Sequence, residues 1–418
     1  MTVEFQSGYA LPGGDQPLKH ARILHNGNRH RVKTVTASDE VTGYPGSAAN
    51  AGDTVDRWRP FTNDITEPDD FSLWTTILNV TVGSDGQTIT ETTATDEHRV
   101  LISHTFTAVE TVVAFKVRRQ TVPEIRISAF DGVTHGCFFD LRDGTVGTAV
   151  SCTGQIVDLG NDEFLCSIYF TALAGAGNVQ LRLANGSELV SYTGSTANTI
   201  LVLRASVNDS IATLRYDLFE AQSGDVICLA GHNFGSTGTL VTLQHDSNED
   251  DTWTDISSFT PSNDSPIMSI LVPVTSPRWR LQVSRGVLPE VAVFRPGLAL
   301  QMQRSFYAGF NPAPMARATQ VTGNISGSGE LLGRSRKRTI LQASYKWENI
   351  TYAWVRANLD GRDGLIQAAE VEPLFVAWRP GETDDVDYLM RASVTPPQAQ
   401  GTKDLWTFSM AGEVYAYE

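Results

Sequence analysis

Cysteine is scarce. Four residues in 418, Cys137, Cys152, Cys166 and Cys228, stand at wide spacings with no CxxC pair. That excludes a disulfide scaffold and a Cys-rich zinc module, and is expected of a chain folding in a reducing cytoplasm. Basic charge is also short: 32 Lys and Arg face 47 Asp and Glu, a formal net charge of −15. A surface built to displace counterions from a nucleic-acid backbone needs the opposite balance, so nucleic acid is not an expected partner. No apolar run is long enough to span a bilayer, so no membrane insertion is expected. Met1 to Tyr9 carry neither a basic region nor an apolar stretch of the secretory type, which makes synthesis in the cytoplasm the expectation.

Catalytic signatures are missing as well. There is no Gly-x-Ser-x-Gly elbow and no His-Glu-x-x-His pair. His20, His25 and His30 recur every fifth residue, a spacing that places neighbours on different faces of a helix or strand. Asn358 to Gly364 superficially resembles a calcium loop, but Arg362 takes a ligand position and Ala369 stands where the twelfth-place glutamate belongs. Acids are too numerous to single out a glycosidase pair, and the run Asp246 to Asp251 reads as a solvated hairpin loop. No enzyme activity, cofactor or metal is therefore expected.

What the chain does have is strand signal. Short stretches rich in Val, Ile, Thr, Phe and Tyr recur between Gly, Asn, Asp and Ser, as at Ile200–Leu203, Thr239–Leu243 and Trp279–Val283. Asp85-Gly86, Asp131-Gly132 and Asp143-Gly144 are turn dipeptides, because glycine takes positive φ at little cost. The pattern predicts an all-β chain of several antiparallel sandwiches. A helix is plausible only over Trp347 to Asn358.

The stretch from His20 to Leu24 reads as a strand, followed by a long loop with Ala37-Ser38, Gly43-Tyr44-Pro45 and Trp58-Arg59-Pro60. Leu214–Leu218, Leu229–Gly235, Asp251-Thr252-Trp253 and Pro277–Leu281 form a second group. Together these resemble the galactose-binding-like, discoidin-type β-sandwich met in phage tail proteins. The resemblance implies one discontinuous domain over 1–66 and 210–300, interrupted by an insertion, since a sandwich missing strands cannot close its core. Within that fold Trp58, His232 and Asn233 are expected to fix loop geometry.

The intervening segment, 67–209, carries Phe71–Trp74, Asp96–Arg99, Phe138–Leu141 and Gly160–Cys166. In order and spacing these are similar to a concanavalin-like or carbohydrate-binding-module jelly roll. That family usually has Gly-Trp or Gly-Phe before the cysteine-bearing strand, where this chain has Asp162-Glu163-Phe164. Trp74, Phe138 and Phe139 are its candidate sugar contacts, because pyranose faces stack on aromatic rings.

The remainder, 301–418, is similar to C-terminal assembly domains of siphophage tail-tip proteins and is expected to be mainly β. Its basic cluster, Arg334, Arg336, Lys337 and Arg338, is a candidate inter-subunit contact with carboxylates of a second copy. The resemblances imply a structural protein of a bacteriophage tail tip or baseplate, in the virion. Its expected partners are other tail proteins, copies of itself and a host cell-surface glycan. The alternatives are part of a carbohydrate-active enzyme and a capsid decoration protein.

Overall fold

The structure is a computed structural model. It describes residues 20–415, except 26–28, 39, 51–53, 55, 62, 66, 285, 308–309, 313–314, 316, 326–327, 329–330, 360–363 and 381–384. The central part of the calcium-like segment lies outside the described residues.

Strands β1 (Arg22–Leu24) and β2 (Val32–Ala37) come first. Next are β3 (Thr76–Leu78), β4 (Val80–Val82), β5 (Thr88–Glu91), β6 (Thr95–Glu97), β7 (Arg99–Phe106), β8 (Glu110–Arg119) and β9 (Glu124–Phe130). The middle continues with β10 (Thr134–Asp140), β11 (Thr145–Val150), β12 (Thr153–Gly160), β13 (Glu163–Thr171), β14 (Gly175–Ala184), β15 (Ser191–Thr193) and β16 (Thr199–Asp209). Then come β17 (Ile211–Ala230), β18 (Leu240–Asp246), β19 (Thr254–Phe259), β20 (Ile267–Ser284) and β21 (Val293–Gly297). The last part holds β22 (Leu300–Gln301), β23 (Arg317–Ile325), β24 (Leu331–Thr351), α1 (Tyr352–Asn358), α2 (Leu365–Val371), β25 (Leu374–Ala377), β26 (Val386–Gln400) and β27 (Thr402–Val414). The chain is all-β and multi-domain, every strand pairing among them antiparallel.

In the insert, two six-stranded sheets, β11-β10-β9-β14-β7-β3 and β12-β13-β8-β16-β5-β4, face each other. Period-two alternation sends Ile125, Ile127, Val179 and Leu181 from one sheet, and Val113, Phe115, Cys166 and Ile168 from the other, into a shared core. Gly86, Gly132 and Gly144 take φ of +71°, +112° and +64° at the three Asp-Gly turns.

The second sandwich rests on two long strands. The first half of β17 pairs with β2 and with the end of β20, and its second half pairs with the start of β20 and with β21. Early in β17, Leu214, Tyr216 and Leu218 alternate inward with Trp279, Leu281 and Trp58. Later, Val226 to Ala230 is buried throughout. Ile227 and Leu229 join the same core, while Val226, Cys228 and Ala230 pack the other way against Phe375, Ala377, Val386 and Tyr388. A strand covered on both faces must be apolar at every position, which explains that run. Between β18 and β19 the acidic run is not simply solvated. Asp246 is buried and accepts from the backbone N–H of Asn248, Glu249 and Asp251, and from Arg278 Nη1.

The structure corrects two further expectations drawn from the sequence. The strand at Arg22–Leu24 does not belong to this sandwich. It pairs with β22 and β25 in the C-terminal seven-stranded sheet, placing Ile23 in that domain's core and Leu24 at the seam between the two bodies. Three residues hold too little pattern to name their sheet. The helix expected over Trp347 to Asn358 starts only at Tyr352, with Thr351 Oγ1 capping Trp354 N–H. Trp347 instead stays in β24, opposite Phe408, with ring centroids 4.8 Å apart and no solvent exposure. Cross-strand stacking overrides the local helical pattern there.

Candidate binding face of the insert

The insert is held at its base by more than a tether. Asn63 Oδ1 accepts from Ile65 and Val207 N–H and its amide donates to Ala205 O, while Asp64 N–H reaches Val207 O at 2.9 Å. The outgoing segment and the returning strand β16 are thus locked side by side. The outer face of the β8–β13 sheet then docks on the second sandwich. Val112, Ala114, Leu165 and Tyr169 enclose Val287, Gln155 donates to Gly238 O, and Asn208 donates to Gly286 O. A cleft of about 650 Å³ opens along this seam. Among its described lining residues Glu290 is the sole carboxylate, and Arg57 and Arg59 both pair with it.

With one sheet docked, the outer face of the opposite sheet is turned away from the rest of the chain. Register decides what it displays. Arg99 on β7 lies opposite Arg182 on β14, Arg182 opposite Arg126 on β9, and Arg126 opposite Phe138 on β10. Directly opposed residues on one face are about 5 Å apart, and like charges so placed repel. Here three guanidiniums form a row across three adjacent strands.

Partners offset part of that repulsion. Glu97 pairs with Arg99 at 2.8 Å and with Arg182 at 2.7 Å. Gln180 Oε1 accepts from Arg182 Nε and Nη2 and from Arg99 Nη1, and its amide donates to Asn178 Oδ1. Burial pushes the Arg182 guanidinium below its ordinary value; Glu97 opposes that shift, while Arg99 and Arg126 add to it. Arg126 differs from its neighbours. Among the described residues it has no carboxylate partner; its guanidinium carbon stands 5.1 Å from the Phe138 ring centroid. Gly136 makes room for it, since a Cβ there would fall 3.0 Å from Arg126 Nε and Nη2 and 3.1 Å from Ser128 Oγ. Arg126 Nε, Arg99 Nε and Ser128 Oγ are all enclosed without a hydrogen-bond partner.

The aromatic residues singled out from the sequence do not assemble into a sugar platform. Trp74 is buried among Phe71 and Phe115 and donates from Nε1 to Glu67 O at 3.1 Å. Phe139 is sealed in the same core, whereas Phe138 points to the outer face beneath Arg126. Adjacent residues of a strand face opposite sides, so the last two cannot share a surface.

Trp58, His232 and Asn233 make the following contacts. Trp58 bridges Val291 and is fully buried. His232 stacks on Phe234 at 4.9 Å and accepts that residue's N–H, with burial holding its imidazole down to about 4. Asn233 donates to Leu288 O and accepts from Glu290 N–H. The basic cluster lies on β24, where Arg334, Arg336 and Arg338 oppose Gly323, Val321 and Gln320 of β23. The side chains of Arg334, Arg336, Lys337 and Arg338 are outside the described set. The arginine row went unnoticed in the sequence, because its members converge only through strand register.

No protein-family profile matches the chain, and neither does any curated protein sequence. Among solved structures, the CBM32-1, CBM32-2 and M60 catalytic domains of Clostridium perfringens ZmpB align at 8% identity with a TM-score of 0.19, over 67% of this chain and 40% of that one. An allantoicase aligns at 9% identity and a TM-score of 0.18, over 57% of this chain and 88% of the other. The ZmpB CBM32 pair in complex with GalNAc aligns at 6% identity and a TM-score of 0.18, over 68% and 99%. Likenesses at such TM-scores carry no argument about function.

Proposed function

We propose that this chain is a non-enzymatic structural protein of a bacteriophage tail, in which a discontinuous galactose-binding-like sandwich holds out an inserted jelly roll for contact with host-surface glycan. The observation behind this reading is the mounting of the insert. Two adjacent chain crossings and a packed seam fix one of its faces, leaving the opposite, polar face directed outward. A rigidly mounted module loses little orientational entropy when several copies bind one surface together, so weak single contacts add up to firm attachment. The sequence resemblance to phage tail proteins supports the virion assignment, and the C-terminal sheet supplies the assembly body.

The test has two parts. Light scattering and electron microscopy of the purified chain with its neighbouring tail proteins should reveal a closed ring of three or six copies. Purified host polysaccharide should be retained by the insert without gaining new reducing ends. A chain that stays monomeric among tail proteins, or that cleaves the polysaccharide, refutes the reading.

A further inference from the structure

We infer that the row Arg99, Arg182 and Arg126, flanked by Gln180 and Ser128, is a binding site for the acidic groups of an anionic polysaccharide. This rests on the reading of the insert as a glycan-contact module and narrows it to a ligand class.

Charge comes first. Within the row three guanidiniums stand against one paired carboxylate, Glu97, on a chain whose net charge is −15. Opposing like charges on one sheet face is unfavourable, so a row of three is a costly arrangement for structure alone. Packing then sets the site. The Arg126 guanidinium lies by the Phe138 ring and against the bare backbone at Gly136, and Ser128 Oγ is enclosed beside it without a partner. A guanidinium fixed in this way offers its fork of N–H donors to a planar oxyanion with little further ordering.

The carboxylates of the neighbouring row are held by other donors. On the neighbouring row Asp140 is bound by Arg142, and Glu124 accepts Glu188 N–H. Glu188 itself accepts from Thr148 N–H and Oγ1. These groups bound the site on that side and direct an anion toward Arg182 and Arg99. The row runs across three adjacent strands, which suits a polymer with repeated acidic groups rather than a single small ligand.

The experiment uses the full chain and titrates polygalacturonate, dextran sulfate, neutral dextran and a single-stranded oligonucleotide, each at two salt concentrations. Polygalacturonate or dextran sulfate should bind, more weakly at higher salt, with neutral dextran at least tenfold weaker. Which of the two binds more tightly distinguishes carboxylate from sulfate recognition. Arg126→Ala should weaken binding about tenfold or more, and Arg126→Lys should recover only part of it, because a lysine keeps the charge and loses the fork. Arg118→Ala, on the opposite sheet, should leave binding unchanged. Far-ultraviolet circular dichroism and melting establish that each variant is folded. If Arg126→Ala does not fold, Gly136→Val serves in its place, since the added side chain displaces Arg126. Equal binding of neutral and acidic glycans, or affinity unaffected by the folded variants, overturns the acidic-site inference while glycan contact stands. Row-dependent binding of the oligonucleotide without the acidic glycans overturns it in favour of nucleic acid. Failure to bind any glycan, host polysaccharide included, overturns both readings.

Discussion

Arg22 Nη1 donates to Asp225 Oδ2 across 3.0 Å, with both side chains sealed from solvent. Asp225 Oδ1 also accepts Ala299 N–H at 2.6 Å. This contact joins β1 of the C-terminal sheet to β17 of the second sandwich, so the amino-terminal segment fastens two bodies together.

Removing one side chain deprives the other buried charge of this ion pair. Arg22→Ala or Asp225→Ala should therefore cost about 3–5 kcal/mol, read as a lower denaturation midpoint. Replacing both residues by apolar ones of similar volume should cost much less than either single change, because no lone charge remains. A double-variant loss equal to the sum of the singles would show that the pair does not act as a unit.

Acid should loosen the second sandwich before it touches most carboxylates. Burial holds His30 and His232 down to about 4, against 6.5 for a free imidazole. Above 6.5 both are neutral in the folded and unfolded chain, and stability is flat. Between 6.5 and 4 the unfolded chain takes up protons that the folded one refuses, so stability falls as pH falls, by roughly 3 kcal/mol for each histidine across the window. Thermal melts at half-unit intervals should follow this slope, and His30→Gln with His232→Gln should flatten it.

The strand-rich character and the Asp-Gly turns were legible because each is local: alternation at Leu214, Tyr216 and Leu218, and positive φ at Gly86, Gly132 and Gly144. The candidate site was not. Arg99, Arg126 and Arg182 sit on three strands far apart in the chain, and nothing in their own neighbourhoods tells which residues register will set opposite them. Phe138 and Phe139 were misjudged where local information sufficed, since strand alternation forbids two neighbours from sharing a face. At Arg22–Leu24 the reason differs again: the sheet that a three-residue strand joins is settled by β22 and β25, roughly 300 residues downstream.

Trp74→Ala tests the corrected role of that tryptophan. As a core residue packed on Phe71 and Phe115, its loss should destabilise the insert by about 3–5 kcal/mol through cavity formation. Glycan affinity measured well below the melting transition should stay unchanged. A selective loss of affinity without a shift in melting would restore Trp74 as a ligand contact.

The insert should be separable. Its two junctions lie side by side, with Asp64 N–H donating to Val207 O, so replacing residues 65–206 by a short Gly-Ser bridge demands no rearrangement of β2 or β17. The shortened chain should keep a cooperative transition and its β-type circular dichroism. Excision does bare Val287, which Val112, Ala114, Leu165 and Tyr169 normally cover. Adding Val287→Ser to the shortened chain should reduce its self-association at high concentration. In the full-length chain the same substitution should lower the melting temperature, because there it removes a packed contact.

Gly177 gives the sharpest steric test of the sheet that bears the arginines. A Cβ at that position would lie 1.9 Å from Phe130 O on the adjoining β9 and 2.9 Å from the Phe106 ring. The carbonyl belongs to a paired strand and cannot swing aside as a side-chain end does, so β14 must move off β9. Gly177→Ala should cost on the order of 1–3 kcal/mol, the usual range for overpacking, and the loss should fall on the insert. Hydrogen exchange should accelerate along β9 and β14 while β17 and β20 keep their protection. Binding at the arginine row should weaken with it, since Arg126 and Arg182 sit on the two strands forced apart. Unchanged exchange along β9 would mean that the two backbones are not as close as this geometry requires.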